Sequence, residues 1–196
     1  MLSSEELSAL KLSLAVATFS VVVSLPFAIA IGFFLARFQF RGRAIIETSM
    51  NFSLVLPPVV VGYLLLLLFG RRGVIGGFLY DTLGITIAFS FAAAVFAAII
   101  ISFPLMLRSV QLSFQGIDQR LERAAKTLGA SPLKVFFTVT LPLAKNGLLA
   151  GAVLCFARSL GEFGATIVFA GNILEETQTM ALAIFSFAER PGGVEH

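Results

Sequence analysis

The sequence holds one cysteine, one histidine and no tryptophan among 196 residues. Cys155 lies in an apolar stretch and has no second thiol, so no internal disulfide braces the chain. His196 is the last residue, so neither a Cys/His zinc site nor a Ser-His-Asp triad can be assembled. Carboxylates are few and do not cluster, and no metal or other cofactor is expected. No G-x-x-x-x-G-K-[ST] run occurs, so the chain lacks a phosphate cradle and is not expected to hydrolyse nucleotide itself. Charge is scarce as well. Charged residues make up 13% of the chain, where a soluble domain carries about 25%. The net charge is only +3 and the basic residues are scattered between apolar runs, which argues against a nucleic-acid module despite a pI of 9.4.

What fills the chain instead is hydrocarbon. Hydrophobic residues are 58% of it, and the mean hydropathy is +0.96. Small domains bury the smallest share of their surface, so so much apolar side chain must face lipid. Three uncharged runs settle the class: Leu12 to Ala36, Thr48 to Gly70 and Thr82 to Leu107, of 25, 23 and 26 residues. A helix needs about 20 apolar residues to span a bilayer, and lipid offers the backbone no partner but itself. A fourth span is expected over 145–170, with Arg158 and Glu162 inside it. The predicted fold is therefore an all-α membrane protein, a single polytopic bundle over 1–196 with spans near 12–36, 48–70, 82–107 and 145–170. The segment 108–144 forms a cytoplasmic loop of two short helices. The first span is not read as a cleaved signal, because its leader carries Glu5 and Glu6 and its core is too long.

Orientation follows from the basic residues. The connections around Arg37, Arg41 and Arg43 and from Arg108 to Lys145 hold nine of the 14 Lys and Arg. Lys11, Arg71, Arg72 and Arg190 lie on the opposite side. This places the two basic connections in the cytoplasm and the N-terminus outside.

The long loop is the most patterned segment. Asp118 can cap a helix whose apolar positions, Leu121, Ala124, Ala125 and Leu128, fall on one face. Glu122 and Lys126 stand four apart on its polar side. Gly129 suits the left-handed position that ends a helix, and Ser131-Pro132 restarts one as N-cap and first residue. Leu133, Phe136, Phe137 and Thr140 share a face of this second helix, which Leu141-Pro142 is expected to end. On these residues alone, two capped helices resting on lipid headgroups explain the loop as well as a docking element does.

The spacing Ala124-Ala125, three residues, Gly129, nine residues, Val139, one residue, Leu141-Pro142 resembles the loop of ATP-binding-cassette importer permeases. That family's pattern is Glu-Ala-Ala, three residues, Gly, nine residues, Ile, one residue, Leu-Pro. Here Arg123 stands at the pattern's Glu, with Glu122 just before it, and Val139 stands for Ile. The segments Leu56–Gly76, Ala124–Leu143 and Phe156–Phe169 look more narrowly like molybdate permeases; sulfate permeases are similar in the loop. The resemblance implies a permease of an ATP-driven molybdate importer in a bacterial inner membrane. It implies a homodimer of permeases, two cytoplasmic ATPase subunits and a periplasmic molybdate-binding protein. It assigns ATPase coupling to Glu122, Arg123, Ala124, Ala125, Gly129, Val139, Leu141 and Pro142. The family's final span would lie beyond residue 196. A sulfate or tungstate permease is the alternative, and a self-contained channel is the rival from another class. An intramembrane protease lacks its side chains here.

Other residues carry two readings each. Arg158 and Glu162 are four apart, and either form a packing ion pair or stand beside a gate. Pro57-Pro58 either kinks the second span or breaks it, freeing backbone to line a path. Arg71-Arg72 either anchor a turn at the outer headgroups or dock acidic residues of the binding protein. Gly147-x-x-x-Gly151 matches a close-packing motif that apolar helices also contain by chance.

Overall fold

The computed structural model describes residues 4–189, and Arg190 and His196 lie outside them. Every regular element among the described residues is helical: α1 Ser4–Arg37, α2 Arg43–Val55, α3 Pro58–Phe69, α4 Val74–Leu83, α5 Phe91–Gln115, α6 Gln119–Thr127, α7 Pro132–Val135, a π turn Phe136–Thr140, α8 Leu141–Leu160, α9 Gly164–Phe169 and α10 Met180–Ala188. Three runs are long and apolar enough to cross a bilayer: α1, α5, and α7 through α8. The pair α2–α3, bent by 111°, makes a fourth if it is one span. The chain is an all-α membrane bundle.

Small residues let the long helices meet. The buried positions of α1 are Ala9, Ser13, Val16, Ala17, Ser20, Ser24, Ala28, Gly32 and Leu35, a stripe at three- and four-residue steps. Gly32 approaches so close to α5 that a Cβ would lie 3.0 Å from Val110 Cγ1. Gly147 and Gly151 make the α5–α8 crossing: a Cβ on Gly147 would overlap Ser113, and one on Gly151 would lie 3.0 Å from the Met106 carbonyl oxygen. Ser109 Oγ donates to the Gly147 carbonyl at 2.9 Å and Ser113 Oγ to that of Ala144 at 3.1 Å, so hydroxyls on α5 fasten the crossing. Deeper in the bundle, Ser159 Oγ donates to Ser102 Oγ at 3.1 Å, and Ser102 lies 3.1 Å from Cys155 Sγ.

Three departures from the sequence reading have a local cause. The third run is read as a span from residue 82, whereas α5 starts at Phe91, because left-handed Gly84 ends α4 and Ser90 Oγ caps α5 by accepting the Ala93 N–H at 3.3 Å. The fourth is read as continuous over 145–170, whereas α8 stops at Leu160 and α9 is separate. At this second break Gly161 ends α8, and the Glu162 carboxylate accepts the Ala165 N–H at 2.9 Å, satisfying an orphan donor in the first turn of α9. Third, Leu141-Pro142 does not end the second loop helix. Pro142 directly follows the π turn, and α7 runs through that turn into α8, so the missing donor falls where the helical bonding has already shifted register.

Candidate functional site: a broken-helix junction and a loop helix

The proline pair breaks its helix outright. Leu56 and Pro57 are extended, at φ −71°, ψ 141° and φ −55°, ψ 133°, and Pro58 begins α3 as its first residue. The Pro57 carbonyl is not left bare: it accepts the N–H groups of Val60 and Val61 at 2.9 and 3.2 Å.

α3 then packs along α9 with almost no side chain between them. A Cβ on Gly62 would lie 2.7 Å from the Ala165 carbonyl oxygen, and one on Gly164 would lie 2.9 Å from Pro58 Cβ. The two breaks therefore meet, and the structure brings Pro57 and Pro58 to the segment carrying Arg158 and Glu162. Glu162 is buried, with its side chain 2% exposed. Its Oε1 accepts from Ala165, and its Oε2 lies 2.8 Å from Arg158 Nη1, whose side chain reaches the bundle surface. The carboxylate thus has two tasks, one to cap α9 and one to neutralise an arginine.

Arg71 and Arg72 lie elsewhere, past the far end of α3, about 17 Å along its axis from Pro58 at 1.5 Å per residue. Arg71 donates to the Tyr80 hydroxyl and its guanidinium sits 4.0 Å from the Tyr80 ring centroid, so it is committed to α4. Arg72 is exposed. Both line a cleft of about 470 Å³ with Leu66, Leu67, Thr86 and Phe89. Phe89 holds φ 58°, a left-handed value rare for a bulky residue, and its N–H donates to the Phe169 carbonyl at 3.1 Å.

The loop helix lies at the opposite end of the bundle. Asp118 caps α6 by accepting the Arg120 N–H at 2.9 Å. Gly129 takes φ +87°, with its N–H on the Lys126 carbonyl at 2.9 Å and that of Ala130 on Ala125 at 3.1 Å, a Schellman ending. Ser131 Oγ accepts the Lys134 N–H at 3.3 Å. None of the α6 residues is buried. Leu128 is 89% exposed and Leu121 50%, and Leu133 and Phe137 are exposed too. Four apolar side chains therefore stand uncovered beside four cations, Arg120, Arg123, Lys126 and Lys134. Val139 and Leu141 are half-buried and belong to the helix rather than to this face.

The two residues at the start of the alanine pair do different work. Arg123 is exposed, 3.5 Å from the Gln119 side chain. Glu122 turns inward, where its Oε1 accepts from Arg37 Nη2 at 2.6 Å and from Thr140 Oγ1 at 2.9 Å. Sequence spacing gave no sign of Arg37, 85 positions away. A second cluster it missed joins α2 to α5: Glu47 accepts from Gln111 Nε2 at 2.7 Å and from Arg43 Nε at 3.0 Å. Only the Arg43–Glu47 step of four could have been read in advance.

Comparison with known proteins agrees with this architecture. Residues 28–194 match the binding-protein-dependent transport system inner membrane component family. The molybdenum transport system permease protein ModB of Haemophilus influenzae is 53% identical over 190 residues, covering 97% of this chain and 83% of that protein. ModB of Escherichia coli K12 is 53% identical over 192 residues, covering 98% and 84%. Sulfate permease 2 of the Chlamydomonas reinhardtii chloroplast is 37% identical over 180 residues, covering 92% and 48%. The chain is thus a permease subunit rather than an enzyme, and it belongs to the binding-protein-dependent transport system inner membrane components.

Proposed function

We propose that this chain forms the oxyanion path of an ATP-driven molybdate importer and works as a homodimer with two cytoplasmic ATPase subunits and a periplasmic molybdate-binding protein. The observation that carries the reading is the 53% identity to molybdenum transport permeases over nearly the whole chain. The geometry supports it at both ends. α6 offers an exposed apolar and cationic face on a stiff, capped helix, which suits a partner in the cytoplasm rather than lipid alone. Ala124, Ala125, Gly129 and the α7–α8 turn through Val139, Leu141 and Pro142 set the shape of that face. With this loop inside, the N-terminus and the Arg71-Arg72 turn are outside. Arg72 is then the docking cation for an acidic patch of the binding protein, since Arg71 is held by Tyr80.

In this reading the path runs beside the junction of α3 and α9. Pro57 and Pro58 open the helix there, and Gly62 and Gly164 let two backbones meet. Glu162 would repel a dianion, but Arg158 cancels its charge, so the pair braces the junction without binding the substrate tightly. Weak binding favours passage. ATP binding draws the ATPase subunits together, and α6 carries that motion to the spans.

Reconstitution with the ATPase and binding protein in proteoliposomes tests the proposal. Molybdate uptake that needs both partners and ATP is the expected result, and uptake without ATP would mark a channel. The similarity to a sulfate permease names the second reading. Thermal shifts of the binding protein with molybdate, tungstate and sulfate, run beside uptake of each, decide between them.

A further inference from the structure

We infer that Arg37, Glu122 and Thr140 form a latch that makes α6 a rigid extension of α1 and α8, so that these three are positioning residues for coupling. This rests on the reading that α6 docks the ATPase subunits.

The argument begins with what does not hold α6. None of its residues is buried, and its backbone packs mainly on α7 and the π turn next to it in sequence. Hydrophobic burial therefore cannot fix its angle to the bundle. A helix of nine residues held only at its two capped ends can tilt under load instead of passing it on. Glu122 supplies the missing constraint. One oxygen, Oε1, accepts from Arg37 at the last turn of α1 and from Thr140 at the end of the π turn, at 2.6 and 2.9 Å. The Arg37 and Glu122 side chains are only 9% and 14% exposed, so water screens the pair weakly. Arg37 lies in the last turn of α1, where a cation also complements the carbonyl end of the helix.

The far side of the latch is equally fixed. Phe136 opens the π turn and stacks edge-on to Phe33 of α1 at 5.0 Å, while Phe114 of α5 lies 6.4 Å from it. The wider π turn rotates the following residues relative to a plain α-helix and leaves Thr140, 1% exposed, aimed at Glu122. α6 is thus clamped from two spans through a single carboxylate. Arg123, at the position where the family pattern has Glu, is free to face the partner.

The assembled transporter in proteoliposomes tests this, with ATPase subunits and binding protein present. Glu122→Gln and Arg37→Met should keep the ATPase subunits bound and hydrolysing, while uptake per ATP falls about tenfold, within the range of coupling between linked sites. The exchange Arg37→Glu with Glu122→Arg should restore much of the loss. Uptake per ATP unchanged in both single variants would overturn the latch. Where a variant fails to assemble, spin labels at Phe38→Cys and Arg120→Cys in the otherwise native chain give the second measurement, since Cys155 is buried. A distance that stays constant between nucleotide-free and ATP-bound transporter supports the latch, and a shift between them refutes it. Leu128→Glu separates the two claims: it should release the ATPase subunits, and their retention would sink the docking reading itself.

Discussion

Gly62 of α3 lies against Ala165 of α9 so closely that a Cβ would sit 2.7 Å from the Ala165 carbonyl oxygen. No flexible side-chain end can retreat there, because the obstacle is backbone. Gly62→Ala should therefore push the two short helices apart and cost about 1–3 kcal/mol, the usual range for overpacking. Denaturant melting in detergent should register the loss. Gly77→Ala serves as the control, since its nearest obstacle, the Arg71 carbonyl oxygen, would be 3.5 Å away.

Gly129 makes a different demand. A side chain there meets nothing within 4 Å, so any penalty comes from φ +87° alone. Gly129→Val should be strained by about 1 kcal/mol or more, and Gly129→Asn by much less, because Asn tolerates left-handed backbone. The valine variant should insert normally yet lose ATPase-coupled uptake, while the asparagine variant keeps most of it. Equal transport by the two would remove the case for a conformational role.

The orientation has a direct test. Thiol-reactive probes should reach Arg43→Cys and Lys126→Cys only from the cytoplasm, and Arg72→Cys only from outside. Cys155 is buried and gives a quiet background. External labelling at Lys126 would reverse the assignment of α6 to the ATPase side.

The parts of the molecule legible in the sequence were those with local causes. The hydrophobic runs announced the long helices, and Asp118, Gly129 and Ser131 announced the ends of the loop helices, because caps act over two to four residues. The breaks were half legible: Pro57-Pro58 could be seen to disrupt a helix, but not to bend it by 111°. The end of α8 was not, since the Glu162 side chain that caps the restart at Ala165 could as well have pointed into a cavity. Pairings across the bundle left no trace in spacing. Arg37 reads as the edge of a span until Glu122 is found beside it.

Arg158 and Glu162 allow packing and gating to be told apart. Removing one charge leaves the other unpaired at low dielectric, so Arg158→Met or Glu162→Ala alone should cost a few kcal/mol. Glu162→Ala also strips the cap from Ala165, whereas Glu162→Gln keeps an oxygen that can accept its N–H. The double variant Arg158→Met with Glu162→Gln therefore removes both charges and retains the cap. If the pair braces the α3–α9 junction, that variant should recover most of the melting temperature and most of the molybdate uptake. If the charges serve a gate, it should assemble fully and still fail, either spending ATP without uptake or leaking anion without ATP. Recovery is the expected result, because a buried carboxylate beside a dianion path brings repulsion, while its two contacts, to Arg158 at 2.8 Å and Ala165 at 2.9 Å, are both within its own segment. Full assembly with abolished uptake would transfer both residues from the scaffold to the translocation path.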